Sequence, residues 1–237
     1  MTNNLHQSRT AIFQMNMSEF WSGDLGLTLV SLSLGVLIFV IFPLRQEGLS
    51  GRFFLDIVMV TLMISGALVV AQHRFITVTT IVIVVIGACL LWLSRFHPSP
   101  FLRQLSSIFS IVSLLLYARI VLLVMFRQGP VTWSRIQGGI SAYLLLGMAW
   151  ASAFDLVEQL QPGSFRFVSE PTNIDQLTAK LIYFSFATLT TVGFGDILPV
   201  APFARSLAIA EAMVGQLFPA ILIGALVAMA MQARPKS

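Results

Sequence analysis

Six apolar runs constrain this chain more than any other feature: Leu25–Phe42, Phe54–Ala71, Phe75–Leu93, Leu105–Phe126, Ile136–Phe154 and Arg205–Met231. Crossing a bilayer takes ~20 residues with few charges. Lipid offers the backbone no hydrogen-bond partners, so each run is expected to be a helix. The breaks carry turn residues and charges, as in Pro43-Leu44-Arg45-Gln46-Glu47-Gly48, His97-Pro98-Ser99-Pro100 and Arg127-Gln128-Gly129-Pro130. Of the 237 residues 57% are hydrophobic and 10% charged, where a soluble domain carries about 25% charged residues. The pattern predicts an all-α membrane protein with six transmembrane helices.

Between the fifth and sixth runs, Asp155–Pro202 breaks the pattern. It begins polar and then holds Leu177–Leu189, an apolar stretch too short to span. Asn173 and Gln176 stand three apart, the spacing of a capping box at a helix start. The stretch runs straight into Thr190-Thr191-Val192-Gly193-Phe194-Gly195-Asp196. Gly193 and Gly195 lack a Cβ and reach the strained conformations that turn successive carbonyls to one side. Rings of such carbonyls replace the water around a dehydrated potassium ion. Val192 and Phe194 are expected to point away and wedge the loop against its surroundings, and Thr191 adds a hydroxyl at the inner mouth. A helix ending at the loop aims its partly negative C-terminus at a cation. Pro202 lies near the start of the last long helix, where a missing N–H costs little.

This order of span, short helix, Thr-Val-Gly-Phe-Gly-Asp and span resembles the pore of the potassium channel superfamily, in the variant with Phe194 where Tyr is commoner. The resemblance covers roughly the last hundred residues. It implies a re-entrant pore helix and selectivity-filter loop between the fifth and sixth spans, with K⁺ held by Thr191, Val192, Gly193, Phe194 and Gly195. It implies a homotetramer, the partners being three further copies of the chain and membrane lipids. Both termini would be cytoplasmic, in a membrane that the compact size suggests is a prokaryotic inner membrane. Counting Lys and Arg on the two sides of that topology gives six against seven, so the positive-inside rule does not decide it.

By the same resemblance, residues 1–24 form a cytoplasmic or interfacial segment and 25–126 a four-helix sensor-like domain. Residues 127–231 form the pore domain and 232–237 a short cytoplasmic tail. Thr190, Thr188, Asp196 and Glu211 are the expected filter supports. Asp196 either pins the outer mouth or simply forms a turn. Glu211, a carboxylate in an apolar helix, either braces the pore helix through Thr188 or Ser185 or senses pH. Ala187 stands where many relatives carry a carboxylate, and Phe194 lacks the tyrosine hydroxyl, so rigidity and strict selectivity are open. Gly215 and Pro219 read either as a gating hinge or as tight helix packing. Gln216, Pro219 and Ile223 are candidates to line a cavity below the filter. Asp155, Glu158, Glu170 and Asp175 give the outer loop an acidic bias, partly offset by Arg166 and Lys180, which either concentrates cations at the entrance or simply marks a solvated loop.

A voltage sensor is not expected. Each charge crossing the field couples only ~2.3 kcal/mol per 100 mV, and the fourth run holds Arg119 as its one basic residue. Cys89 is the single cysteine, and His6, His73 and His97 are far apart, which argues against disulfides and metal sites. The scattered basic residues give no nucleic-acid surface. Ile12, Phe13, Met17, Phe20 and Trp21 suggest either an interfacial helix or a frayed terminus. No enzyme-like cluster and no cofactor site is expected, and with few residues after Met231 no cytosolic ligand-binding domain is expected either. The function expected is passive K⁺ conduction, the alternatives being a weakly selective cation channel or a non-conducting regulatory subunit.

Overall fold

The computed structural model describes residues 99–126 and 132–232, together with 28, 31–41, 82, 85–87 and 90. The described residues are mostly helical: α1 (Pro100–Met125), α2 (Trp133–Leu160), β1 (Phe165–Phe167), α3 (Ile174–Leu189), β2 (Ile197–Pro199) and α4 (Pro202–Gln232). A helical stretch at 31–36 continues as a π-helical turn, Leu37–Ile41. Three helices among the described residues are long and apolar enough to cross a membrane: Pro100–Leu123, Arg135–Leu160 and Pro202–Met231. The expected runs Phe54–Ala71 and Phe75–Leu93, the segment 1–24 and most of the tail 232–237 lie outside the described residues, apart from a few helical positions in the third run.

Helix α1 starts five residues before its apolar run, because Ser99-Pro100 opens it. The Ser99 hydroxyl accepts the Leu102 N–H at 3.2 Å, and Pro100 stands where a helix needs no N–H. Helix α2 likewise outruns Ile136–Phe154 at both ends, which places Asp155 and Glu158 in the helix and not in the loop that follows it. Asp155 is helical and pairs with Arg103 at 2.8 Å. Its other oxygen accepts from Ser107 at 3.1 Å and Gln159 at 2.5 Å. Arg103 lies near the start of α1 and Asp155 near the end of α2, so the two helices run antiparallel. Glu158 is also engaged, accepting the N–H groups of Gly163 at 2.7 Å and Phe165 at 3.3 Å.

Three aromatic rings hold one end of the molecule together. Phe154 of α2, Phe165 of β1 and Phe184 of α3 meet edge to face at centroid distances of 5.0–5.5 Å. Ile197, Ala201, Ala204 and Ala208 complete this core. The strands pair antiparallel, Phe165 opposite Pro199 and Phe167 opposite Ile197. This small ribbon departs from the all-α expectation, since three residues carry too little periodicity to read as a strand. Elsewhere Leu34 and Ile38 pack with Ala118 and Val121 of α1 and Leu145 of α2, while Leu37 meets Ala151, Ala179 and Ile182.

The Arg103–Asp155 node is shielded enough to matter. Replacing Asp155 with Ala strands Arg103, Ser107 and Gln159, and should cost about 2 kcal/mol of stability. Thermal unfolding in detergent checks this: Asp155→Ala should melt well below wild type, and Arg103→Met combined with Asp155→Leu should recover part of the loss.

Candidate functional site

Helix α3 begins as a capped helix. The Asn173 side chain accepts the Gln176 N–H at 2.8 Å, and Gln176 Oε1 reaches back to the Thr172 N–H and hydroxyl, both at 2.9 Å. The return bond therefore goes one residue further out than a standard box.

At the other end a helix leaves four carbonyls without helical partners, and here every one is used. Phe186 O accepts the Thr190 N–H at 3.1 Å and the Thr190 hydroxyl at 2.6 Å. Ala187 O accepts the N–H groups of Val192 at 2.9 Å and Gly193 at 3.1 Å. Thr188 O accepts the Thr191 N–H at 2.9 Å. Leu189 O accepts the Tyr143 hydroxyl from α2 at 3.0 Å. Position 187 offers no side-chain carboxylate, but its carbonyl fastens the loop.

These bonds consume the N–H groups at the start of the loop and leave its carbonyls alone. Among the described residues, no hydrogen bond ends on a carbonyl of Thr191, Val192, Gly193, Phe194 or Gly195. Positive φ recurs at every second residue: 59° at Thr191, 55° at Gly193 and 80° at Gly195. Glycine accepts this freely, whereas a β-branched residue there is strained. Thr191 is the single non-glycine among the described residues to do so.

The loop's side chains face outward from the chain. Val192 and Phe194 are exposed, and Phe194 stacks on Tyr183 of α3 at 6.0 Å and 11°. Partial burial, then the Asp196 carboxylate beside it, raises the Tyr183 phenol above its ordinary range. The Asp196 carbonyl accepts the Val168 N–H at 3.0 Å. Past it, β2 is clamped to β1, and Ser164 O accepts the Val200 and Ala201 N–H groups. A cleft of about 310 Å³ opens here, lined by Phe167, Lys180, Tyr183 and Asp196 among others. Lys180 bonds the Ser169 carbonyl and hydroxyl. No three His, Cys, Asp or Glu side chains gather as a metal site among the described residues.

Helix α4 backs the loop. Gly215 lies so close to Leu189 that an added Cβ would fall 1.8 Å from Leu189 O. Glu211, one turn earlier, is fully buried and reaches Ser185 at 2.5 Å; Thr188 is not its partner. Phe218 meets Tyr143 at 5.5 Å. Gln216, Pro219 and Ile223 are exposed on a stripe about a quarter turn away at 3.6 residues per turn. Pro219 sits inside a helix that continues unbroken to Gln232. Tyr143, Tyr183 and the β1 clamp escaped the sequence reading, because their partners lie 13–46 residues away with no local pattern to pair them.

Residues 142–232 match a family model described as "Ion channel". The segment matches a channel family model and resembles potassium channels in sequence. Among curated relatives, Two pore potassium channel c of Oryza sativa subsp. japonica is 34% identical over 86 residues, 36% of this chain and 17% of that protein. Inward rectifier potassium channel Kirbac3.1 of Paramagnetospirillum magnetotacticum is 30% identical over 73 residues, 31% of this chain and 20% of that one. The matched stretch thus spans a fifth or less of either relative's length. No solved structure matches the chain. With its apolar helices, the chain is an integral membrane protein.

Close packing at Gly215 has a measurable consequence. Gly215→Ala must push α4 off Leu189 and should lower stability by about 1–3 kcal/mol. Gly224→Ala, inside the same helix at a position with nothing within 4 Å, should melt no lower than wild type. Thermal melts of the two variants side by side check the contrast.

Proposed function

We propose that this protein is a subunit of a potassium-selective channel that conducts K⁺ passively through a homotetrameric pore. The observation that carries the reading is the row of unengaged carbonyls from Thr191 to Gly195, with left-handed backbone at alternate residues. One chain supplies one row of oxygens, and a dehydrated cation needs a shell. Four rows meeting on an axis would provide it. The filter supports in this reading are Thr190 and Thr188, whose backbones fasten the loop to α3, Asp196 at the outer mouth, and Glu211 behind.

Exposure of α4 supports assembly. Only 6% of its most apolar window is buried within one chain, against 50% for α2, so α4 has a face to spend on other copies. Gln216, Pro219 and Ile223 would then border the water-filled cavity below the filter. Both termini would be cytoplasmic, in a prokaryotic inner membrane.

Flux from liposomes tests the proposal. Purified protein should pass K⁺ in strong preference to Na⁺, and Gly193→Asp should abolish flux while leaving the assembly intact. Equal permeation of the two ions would favour a weakly selective cation channel, in line with Phe194 and Ala187. Silent, correctly assembled tetramers would favour a non-conducting regulatory subunit.

A further inference from the structure

Glu211 makes sense as a hydrogen-bond donor and not as a carboxylate. Its Oε1 lies 2.5 Å from Ser185 Oγ, and that same hydroxyl lies 2.7 Å from Gly147 O. A serine hydroxyl has one hydrogen to give, and a backbone carbonyl has none. If the Ser185 hydrogen is on Gly147 O, the hydrogen between Ser185 and Glu211 must come from the glutamic acid. Were Ser185 to donate to Glu211 instead, it would face Gly147 O lone pair to lone pair at 2.7 Å. Glu211 and Ser185 are both fully buried.

The second carboxyl oxygen points the same way. Oε2 has no partner among the described residues. An unpaired carbonyl oxygen of a neutral acid is a tolerable cost, whereas half of a bare carboxylate in an apolar interior is not. No Lys, Arg or His lies within ion-pair distance of Glu211 among the described residues. The ionisable group facing it from α2 is Tyr143, whose hydroxyl donates to Leu189 O. Helix α3 faces it with Ser185, which does not titrate in the accessible range, and α4 presents no other charged side chain within one turn.

We propose that Glu211 holds a proton and donates it to Ser185, which donates to Gly147, tying α4, α3 and α2 into one chain of hydrogen bonds directly behind the loop. Glu211 is a positioning residue: it touches no ion and acts by seating the α3 segment that ends at Leu189. Resting on the conduction proposed above, this makes the proton-loaded form the conducting one. Removing the proton puts a charge into the apolar interface and leaves two acceptors facing one hydrogen.

The sign follows. Flux should hold at neutral pH and fall by roughly tenfold per pH unit once the acid ionises. Glu211→Ala should lose flux at all pH values. Glu211→Gln, whose amide N–H can take over the donation, should restore flux and flatten the alkaline fall. Infrared difference spectroscopy reads the proton itself, whether or not the protein conducts. A protonated-carboxyl band should be present at neutral pH, vanish in Glu211→Gln and shift in Ser185→Ala. Absence of that band, or an alkaline fall in Glu211→Gln equal to that of wild type, would overturn the proposal. Should Glu211→Gln not assemble, the Ser185→Ala shift decides: an unmoved band counts against it.

Discussion

Two N–H groups on one carbonyl organise this molecule. Val192 and Gly193 both bond to Ala187 O, so the chain leaving α3 cannot run on as helix or cross away as strand. It must fold over the helix end with its donors turned inward. The carbonyls of the next residues are thereby left facing elsewhere. Residues 191–195 are exposed in the single chain, so these five acceptors stay open to whatever lies beside the loop. The left-handed positions at Thr191, Gly193 and Gly195 are the conformational means of achieving it.

The surrounding elements hold that helix end in place from three sides. Helix α2 sends Tyr143 to Leu189 O. Helix α4 brings Gly215 against the same carbonyl and Glu211 to Ser185. On the far side of the loop, the β1–β2 pairing and the Phe154–Phe165–Phe184 cluster fix where Asp196 emerges. Glycine at 215 is therefore a packing requirement in this structure. Its position four residues before Pro219 also means that its own carbonyl lacks the usual helical donor, which proline cannot supply.

Much of this was legible in advance, for identifiable reasons. The Asn173 cap, the end of the helix at Leu189 and the left-handed backbone at Gly193 and Gly195 rest on local chemistry, and local chemistry is written in consecutive residues. The helix boundaries were less so. Ser99-Pro100 looked like a break and is a start, because both roles use the same residues. The run ending at Phe154 continues to Leu160 because Asp155 and Glu158 find partners, where counting hydropathy sees charges and stops.

By itself the sequence determined that this is a helical membrane protein with a glycine-bearing loop after a short capped helix, since hydropathy and backbone freedom are properties of neighbouring residues. Tertiary structure alone decided which side chains stand behind that loop. Tyr143 and Leu189 are 46 residues apart, and Ser185 and Glu211 are 26 apart. Such pairs meet only because helices of fixed pitch pack with particular faces together, and no stretch of sequence records which faces those are.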